Sequence, residues 1–171
     1  MLSRLLPDFP KVTLHKTSDG YEIRDHEKSM KMSLSFDDYN KVLIGKKKHQ
    51  LNKIFKTKNL NILDCTGGFA KDAAILSSLG NEVTLIERNP LIMSLLVDAN
   101  EKIKSDNIRS IFSRIKIRFG NCIDFVRNTN KHFDYIYFDF MFNINKSALP
   151  SKNEQFLREI VKNDINENVD I

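Results

Sequence analysis

Three acidic residues stand directly after short apolar runs in the second half of the chain: Asp64 after Leu60-Asn-Ile-Leu63, Glu87 after residues 82–86, and Asp139 after Tyr135-Ile-Tyr-Phe138. A further run, Ile115-Lys-Ile-Arg-Phe119, ends in Gly120-Asn-Cys122. Where such runs are strands of an open parallel sheet, ligands bind outside their carboxyl ends, so these residues are the ones that meet a bound molecule. Asp64 opens the loop Asp64-Cys-Thr-Gly-Gly-Phe-Ala-Lys-Asp72. Gly67 and Gly68 there carry no Cβ, which lets backbone approach a ligand closely, and the next helix begins with free N–H groups.

The spacing argues against a dinucleotide. A phosphate-cradling loop wants G-x-G-x-x-G directly after the strand, whereas here Gly-Gly follows Asp64 with no third glycine in place. An acid in that position repels a pyrophosphate, which sets a nicotinamide oxidoreductase aside. A ligand with a cationic amine and a ribose but no phosphates fits better, with Asp64 near its positive end and Glu87 accepting two hydrogen bonds from ribose hydroxyls. Those are the demands of S-adenosylmethionine. The competing reading makes Gly-Gly a plain turn and Glu87 a solvated strand-end acid.

The elements that must position these residues follow from periodicity. From Asn59 onward strands and helices alternate. Strands are expected at 60–63, 82–86, 115–119 and 135–138, with helices over 71–79 (stopped by Gly80), about 90–104 (opened by Pro90) and 122–127. Residues 154–163 also read as helical. Before Asn59 the pattern differs. Residues 11–16 and 21–25 alternate around Thr17-Ser-Asp-Gly20, whose Asp-Gly step favours a tight hairpin. Residues 30–36 alternate likewise, with Met30, Met32, Leu34 and Phe36 on one face, and extend that small sheet. A basic helix is expected over 37–57, with Gly45 as a point of division. The domains expected are 1–58, a β-hairpin with a basic helical segment, and 59–171, a cofactor-binding domain.

Composition agrees with an ordinary globular chain: 171 residues, 41% hydrophobic and 29% charged. The net charge of +5 is uneven, since residues 1–60 carry 13 basic and 7 acidic side chains and the remainder 14 and 15. That asymmetry suits a polyanion-facing segment, or equally a solvated lysine-rich face. Lys46, Lys47 and Lys48 are the densest part, open to phosphate contact or to solvent. Cys65 and Cys122 lie far apart with no CxxC partner, so no zinc site and no disulfide framework is signalled, and reduced cytoplasmic residence is expected. No secretory signal and no membrane span is read, and His15, His26, His49 and His132 lack metal-ligand spacing.

At these same residues the sequence resembles the methyltransferase J family of the small ribosomal subunit. The resemblance is carried by Asp64 to Ala73, Leu79-Gly80, Glu87-Arg-Asn-Pro90, and Asp139-Phe-Met-Phe142 followed by Lys146-Ser-Ala-Leu149, and covers about 11–165. It implies a Rossmann-like class I methyltransferase fold, α/β with a parallel sheet, here truncated, and a small N-terminal β-hairpin subdomain. It implies transfer of methyl from S-adenosylmethionine to the exocyclic N2 of a guanine in 16S ribosomal RNA, with the RNA or the small subunit as partner and no metal. The cofactor contacts it implies are Asp64, Gly68, Lys71, Asp72, Glu87, Arg88, Asn121, Cys122 and Asp139, with Asn121 at the adenine edge. Asp139 and Phe142 are the implied catalytic pair: Asp139 accepts the amine N–H and Phe142 stacks on a base drawn from its helix. Phe142 is otherwise a loop hydrophobe over the core, and Cys122 otherwise a small buried helix residue.

The sequence departs from the family in several places. Lys71 stands where the family has arginine, losing the planar fork. Phe140 replaces the proline after the strand-four acid and Asn143 a second proline, which frees that loop. The family's Gly- and Arg-rich stretch is reduced to Gly45-Lys-Lys-Lys48-His49. The family also continues through three more strands where this sequence stops at Ile171, which makes strand four an expected bare edge. From these departures comes an alternative function, a degenerate module that binds RNA or cofactor without turnover.

Overall fold

The structure, a computed structural model, describes residues 12–44 and 50–139. Strands β1 (Val12–Thr17) and β2 (Gly20–Asp25) form the expected antiparallel hairpin, with Val12 opposite Asp25 and Thr17 opposite Gly20. Gly20 holds φ +136°, a value that a side chain at this turn would oppose. β3 (Met30–Met32) pairs antiparallel with β2 and completes a three-stranded sheet. It is shorter than the alternation over 30–36 suggests, because Phe36 already belongs to a 3₁₀ turn, Phe36–Asp38, that leads into helix α1 (Tyr39–Ile44). A second helix, α2 (Gln50–Ile54), follows residues 45–49. Both helices lie within the span expected to be helical, and Gly45 with Lys46, Lys47 and Lys48, between them in sequence, lies outside the described residues.

The second sheet is built from β4 (Asn61–Asp64), β5 (Glu82–Glu87), β6 (Ile115–Phe119) and β7 (Tyr135–Tyr137). Its order is β6-β5-β4-β7, and every pairing is parallel. The crossover helices are α3 (Lys71–Ser78) from β4 to β5, α4 (Pro90–Glu101) and α5 (Asp106–Phe112) from β5 to β6, and α6 (Cys122–Asn128) from β6 to β7. One helix expected over 90–104 ends at Glu101, and α5 is an addition. Its N-cap, Ser105, accepts from the Ile108 N–H, while Asp37 accepts from the N–H groups of Lys104 and Ser105. The chain leaves α4 because a carboxylate from the N-terminal segment captures the backbone at that point.

The order puts β5 on one side of β4 and β7 on the other. The chain therefore reverses its direction of travel at β4, and the crevice at such a switch point is where an open α/β sheet takes a ligand. Ile62, Leu63, Leu76, Leu85, Ile92, Leu95 and Leu96 are fully buried between sheet and helices. Each such side chain contributes about 1.5–3 kcal/mol relative to exposure. The same core continues through Phe112 and Phe36, whose rings stack at 3.9 Å, to Ile23 and Met32 of the hairpin sheet. The hairpin also touches α4: Asp98 accepts from the Tyr21 N–H at 3.2 Å, and Lys102 Nζ donates to the Asp19 carbonyl at 2.7 Å. At the opposite margin of the parallel sheet, Tyr135 and Ile136 of β7 are each 51% exposed.

Candidate cofactor site

The loop from β4 to α3 is held from three sides. Gly67 donates its N–H to the Ile86 carbonyl, and Ala70 donates back to Gly67 in a tight turn. A Cβ on Gly67 would lie 2.6 Å from Leu85 Cδ2 and 2.8 Å from the Ile86 carbonyl oxygen, so packing against β5 demands this glycine. Gly68 has φ +48° and Ala70 φ +60°, which places two left-handed residues within three positions. From outside the loop, buried Tyr39 of α1 donates its hydroxyl to the Phe69 carbonyl.

Glu87 ends β5 beneath this loop. Its Oε2 accepts from the Gly68 N–H at 2.8 Å and its Oε1 from the Asn89 N–H at 2.7 Å. Two fixed main-chain donors hold the carboxylate in one orientation. Asn89 in turn caps α4 through the Leu91 and Ile92 N–H groups, with Pro90 at the first helical position.

The other acids gather across the switch point. Asp64 is 1% exposed, and its Oδ1 accepts from the N–H and hydroxyl of Thr66. Burial, with the charges of Asp72 and Asp139 nearby, pushes its carboxyl up to about 7 although the Thr66 N–H favours the anion. Thr66 Oγ1 also accepts from the Asp139 N–H at 2.8 Å, which ties the loop after β4 to the end of β7. Tyr137 of β7 donates its hydroxyl to Asp72 Oδ2 at 2.9 Å, and burial beside these carboxylates raises that phenol. Three acids confined together attract a cationic ligand group and repel a phosphate.

The structure therefore brings Asp64, Gly68, Asp72, Glu87 and Asp139 to one end of the sheet. Lys71 and Arg88 flank them as exposed residues. Asn121 follows β6, with its Oδ1 engaged by the Ile123 N–H as the cap of α6. Cys122 begins α6 and is joined to Cys65, with 5.4 Å between their Cα atoms. The expectation of two remote, unpaired cysteines is corrected: they are 57 residues apart in sequence and neighbours in space. Phe142, Phe140, Asn143 and Lys146 to Leu149 lie outside the described residues.

Thr66, Tyr39 and Tyr137 join the site without being singled out by sequence. Thr66 sits inside the Asp64–Asp72 loop, and its place between Asp64 and Gly67 is a signal that could find it. The two tyrosines reach the site only through tertiary packing. Among the described residues no group of three or more His, Cys, Asp or Glu side chains is arranged to hold a metal ion, and no helix is long and apolar enough to cross a membrane.

This parallel sheet, with its carboxylates at the strand ends, is the frame of a Rossmann-like class I methyltransferase. The chain matches the family described as "Putative SAM-dependent methyltransferase" over residues 8–169 and belongs to that family. Among curated proteins it is 41% identical over 107 residues to ribosomal RNA small subunit methyltransferase J of Ectopseudomonas mendocina, covering 61% of this chain and 41% of that protein. To the protein of the same name from Pseudomonas syringae pv. syringae it is 39% identical over 108 residues, covering 61% and 40%. The chain thus matches about two fifths of the length of these relatives, and they bear the name of the family that the motifs resemble. A solved SAM-dependent methyltransferase from Neisseria gonorrhoeae shares the fold at TM-score 0.66 and 22% identity, over 80% of this chain and 60% of that one.

Proposed function

We propose that this chain binds S-adenosylmethionine and transfers its methyl group to the exocyclic N2 amine of a guanosine in 16S ribosomal RNA, in the cytoplasm. The observation that carries the reading is the convergence of Asp64, Glu87 and Asp139 at the carboxyl ends of β4, β5 and β7, beside a β4–α3 loop that lacks a phosphate cradle. The relatives named for small-subunit ribosomal RNA methylation supply the substrate class.

The residues present fit the cofactor's chemistry. Glu87, fixed by the Gly68 and Asn89 N–H groups, presents its carboxylate to ribose hydroxyls. Asp64 and Asp72 offer negative charge to an ammonium or sulfonium group, and Asn121, Cys122 and Arg88 edge the place for a purine. When bound, the cofactor supplies an electrophilic methyl group.

Asp139 acts on the acceptor. A guanine amine is a weak nucleophile because its lone pair is delocalised into the ring, so an acceptor that holds its N–H aims the nitrogen and takes up the developing proton charge. The Thr66 hydroxyl fixes the backbone of Asp139 and so sets where its carboxylate stands. In this reading Phe142 stacks on the displaced base and Lys46 to Lys48 meet phosphates. Residues 59–171 form the cofactor domain, and the segment before them faces RNA.

The test is calorimetric titration of S-adenosylhomocysteine into the purified chain, with Glu87→Ala as control, followed by methyl transfer to unmodified small-subunit RNA by wild type and Asp139→Ala. Binding that is lost in Glu87→Ala, with transfer lost in Asp139→Ala, supports the reading. A folded protein without binding refutes it, and binding without transfer favours the degenerate module.

A further inference from the structure

β4 and β6 are not neighbours, because β5 lies between them. Adjacent strands are about 4.8 Å apart, so the ends of two strands flanking a third stand roughly 10 Å apart. The Cα atoms of Cys65, directly after β4, and Cys122, at the start of α6 after β6, are only 5.4 Å apart. Both connections have therefore leaned inward over the end of the middle strand. Main-chain bonds trace the same convergence: Gly67 donates to the Ile86 carbonyl from one side, and Gly120 donates to the Glu87 carbonyl from the other. The bridge between the cysteines spans the carboxyl end of β5, where Glu87 is only 8% exposed.

We propose that Cys65 and Cys122 form a reversible dithiol–disulfide pair that tunes the cofactor site at Glu87, binding being weaker when the bridge ties the two connections together over the end of β5 than when reduction releases them. The proposal rests on the function reading above, since it gives that same cleft a control. The separation of 5.4 Å falls within the range that a disulfide spans, and both cysteines are partly exposed, so small oxidants and reductants reach them. The bridge ties the two connections together across the end of β5, and reduction removes that tie.

The chemistry balances with a hydroperoxide as oxidant. One thiolate attacks the peroxide, the O–O bond breaks, and a sulfenic acid and the first hydroxide form. The second thiol then displaces hydroxide from the sulfenic sulfur, forming the S–S bond, and the protons from the two thiols complete two molecules of water when the oxidant is hydrogen peroxide. Two electrons pass from the sulfurs to the peroxide. A small dithiol reverses the reaction by exchange through a mixed disulfide.

The experiment uses the whole chain, reduced with dithiothreitol and then treated with one equivalent of hydrogen peroxide. Free thiols are counted under denaturing conditions, and S-adenosylhomocysteine affinity is measured by calorimetry in each state. The expected result is loss of both thiols, an affinity at least tenfold weaker in the oxidised protein, and recovery with dithiothreitol. Cys65→Ala, which has no partner for Cys122, keeps its affinity within about twofold after the same peroxide. Loss of two thiols with unchanged affinity overturns the proposal, as does failure to lose them or equal sensitivity of Cys65→Ala. If the reduced protein binds no S-adenosylhomocysteine, the function reading fails and the coupling falls with it. The thiol count tells that outcome apart from a failure of the pair itself.

Discussion

Thr66 accepts the main-chain N–H of Asp139 at 2.8 Å, so one hydroxyl joins the loop after β4 to the backbone two residues past β7. Replacing it leaves the Asp139 N–H and one contact to Asp64 without a partner. Thr66→Val is nearly isosteric and removes only these polar contacts. About 1–2 kcal/mol of stability is expected to be lost. For a chain of this size that lowers the melting temperature by roughly 2–4 °C per kcal/mol. Methyl transfer should fall by a larger factor than cofactor affinity, because Asp139 is displaced while Glu87 is not. An equal loss in both would contradict the role given to the hydroxyl.

Asp64 makes stability depend on pH in an unusual sense. Its folded-state carboxyl titrates at about 7, against an ordinary aspartate value of 3.8. Between those values the folded protein keeps a proton that the unfolded chain has released, so stability from this group is complete below about pH 4 and is lost as pH rises to about 7. Asp64→Asn, which is neutral throughout, should melt near wild type at pH 5 and above it at pH 8 when no ligand is present. Ligand binding should run the opposite way, with wild-type affinity for the sulfonium cofactor strengthening severalfold from pH 6 to pH 8. Parallel melting curves for the two proteins would remove burial as the cause of the shift.

Tyr39 belongs to the N-terminal segment yet supports the cofactor loop, through its bond to the Phe69 carbonyl. Tyr39→Phe keeps the ring contacts with Phe36 and Phe112 and leaves that carbonyl unpaired. A cost of about 1–3 kcal/mol in chemical denaturation is expected. S-adenosylhomocysteine affinity should also weaken, because Gly68, which directly precedes Phe69, carries the N–H that orients Glu87. Unaltered affinity in a destabilised variant would confine Tyr39 to a structural part.

Gly67 provides a sterically defined test. The carbonyl oxygen that would stand 2.8 Å from an added Cβ is main chain in β5 and cannot swing aside. Gly67→Ala should cost about 1–3 kcal/mol by overpacking. The melting temperature reads this directly, and a variant as stable as wild type would show that the loop does not need to lie so close to β5.

What can be read from the sequence is local. Asp19-Gly20 announces the hairpin because Gly20, at the end of the turn, takes a positive φ that glycine favours, and the apolar runs announce the strands because β4 and β5 are buried along most of their length. Strand ends are local too, which is why Asp64, Glu87 and Asp139 are legible as a set. Pro90 marks the start of α4, but its cap Asn89 stands out only as part of a motif. The order β6-β5-β4-β7 is written in no single segment. The meeting of Cys65 with Cys122, and of Tyr39 with Phe69, depends on that order and on the docking of the N-terminal segment, so neither pair is visible in the chain alone. The break between α4 and α5 is hidden for the same reason, since it is Asp37, far away in sequence, that draws the backbone aside.

The strand order also sets a sequence of assembly. β4, β5 and β6 are consecutive in the chain and pair side by side, so the grip on Glu87 closes within residues 61–120 using neighbouring units alone. β7 must come back past both earlier partners to reach the far side of β4, bridging a separation of about 73 residues from Ile62 to Tyr135. Long-range closures of this kind come late in folding. As the chain emerges during synthesis, the strand ends around Glu87 can take shape before Asp139 arrives beside Asp64.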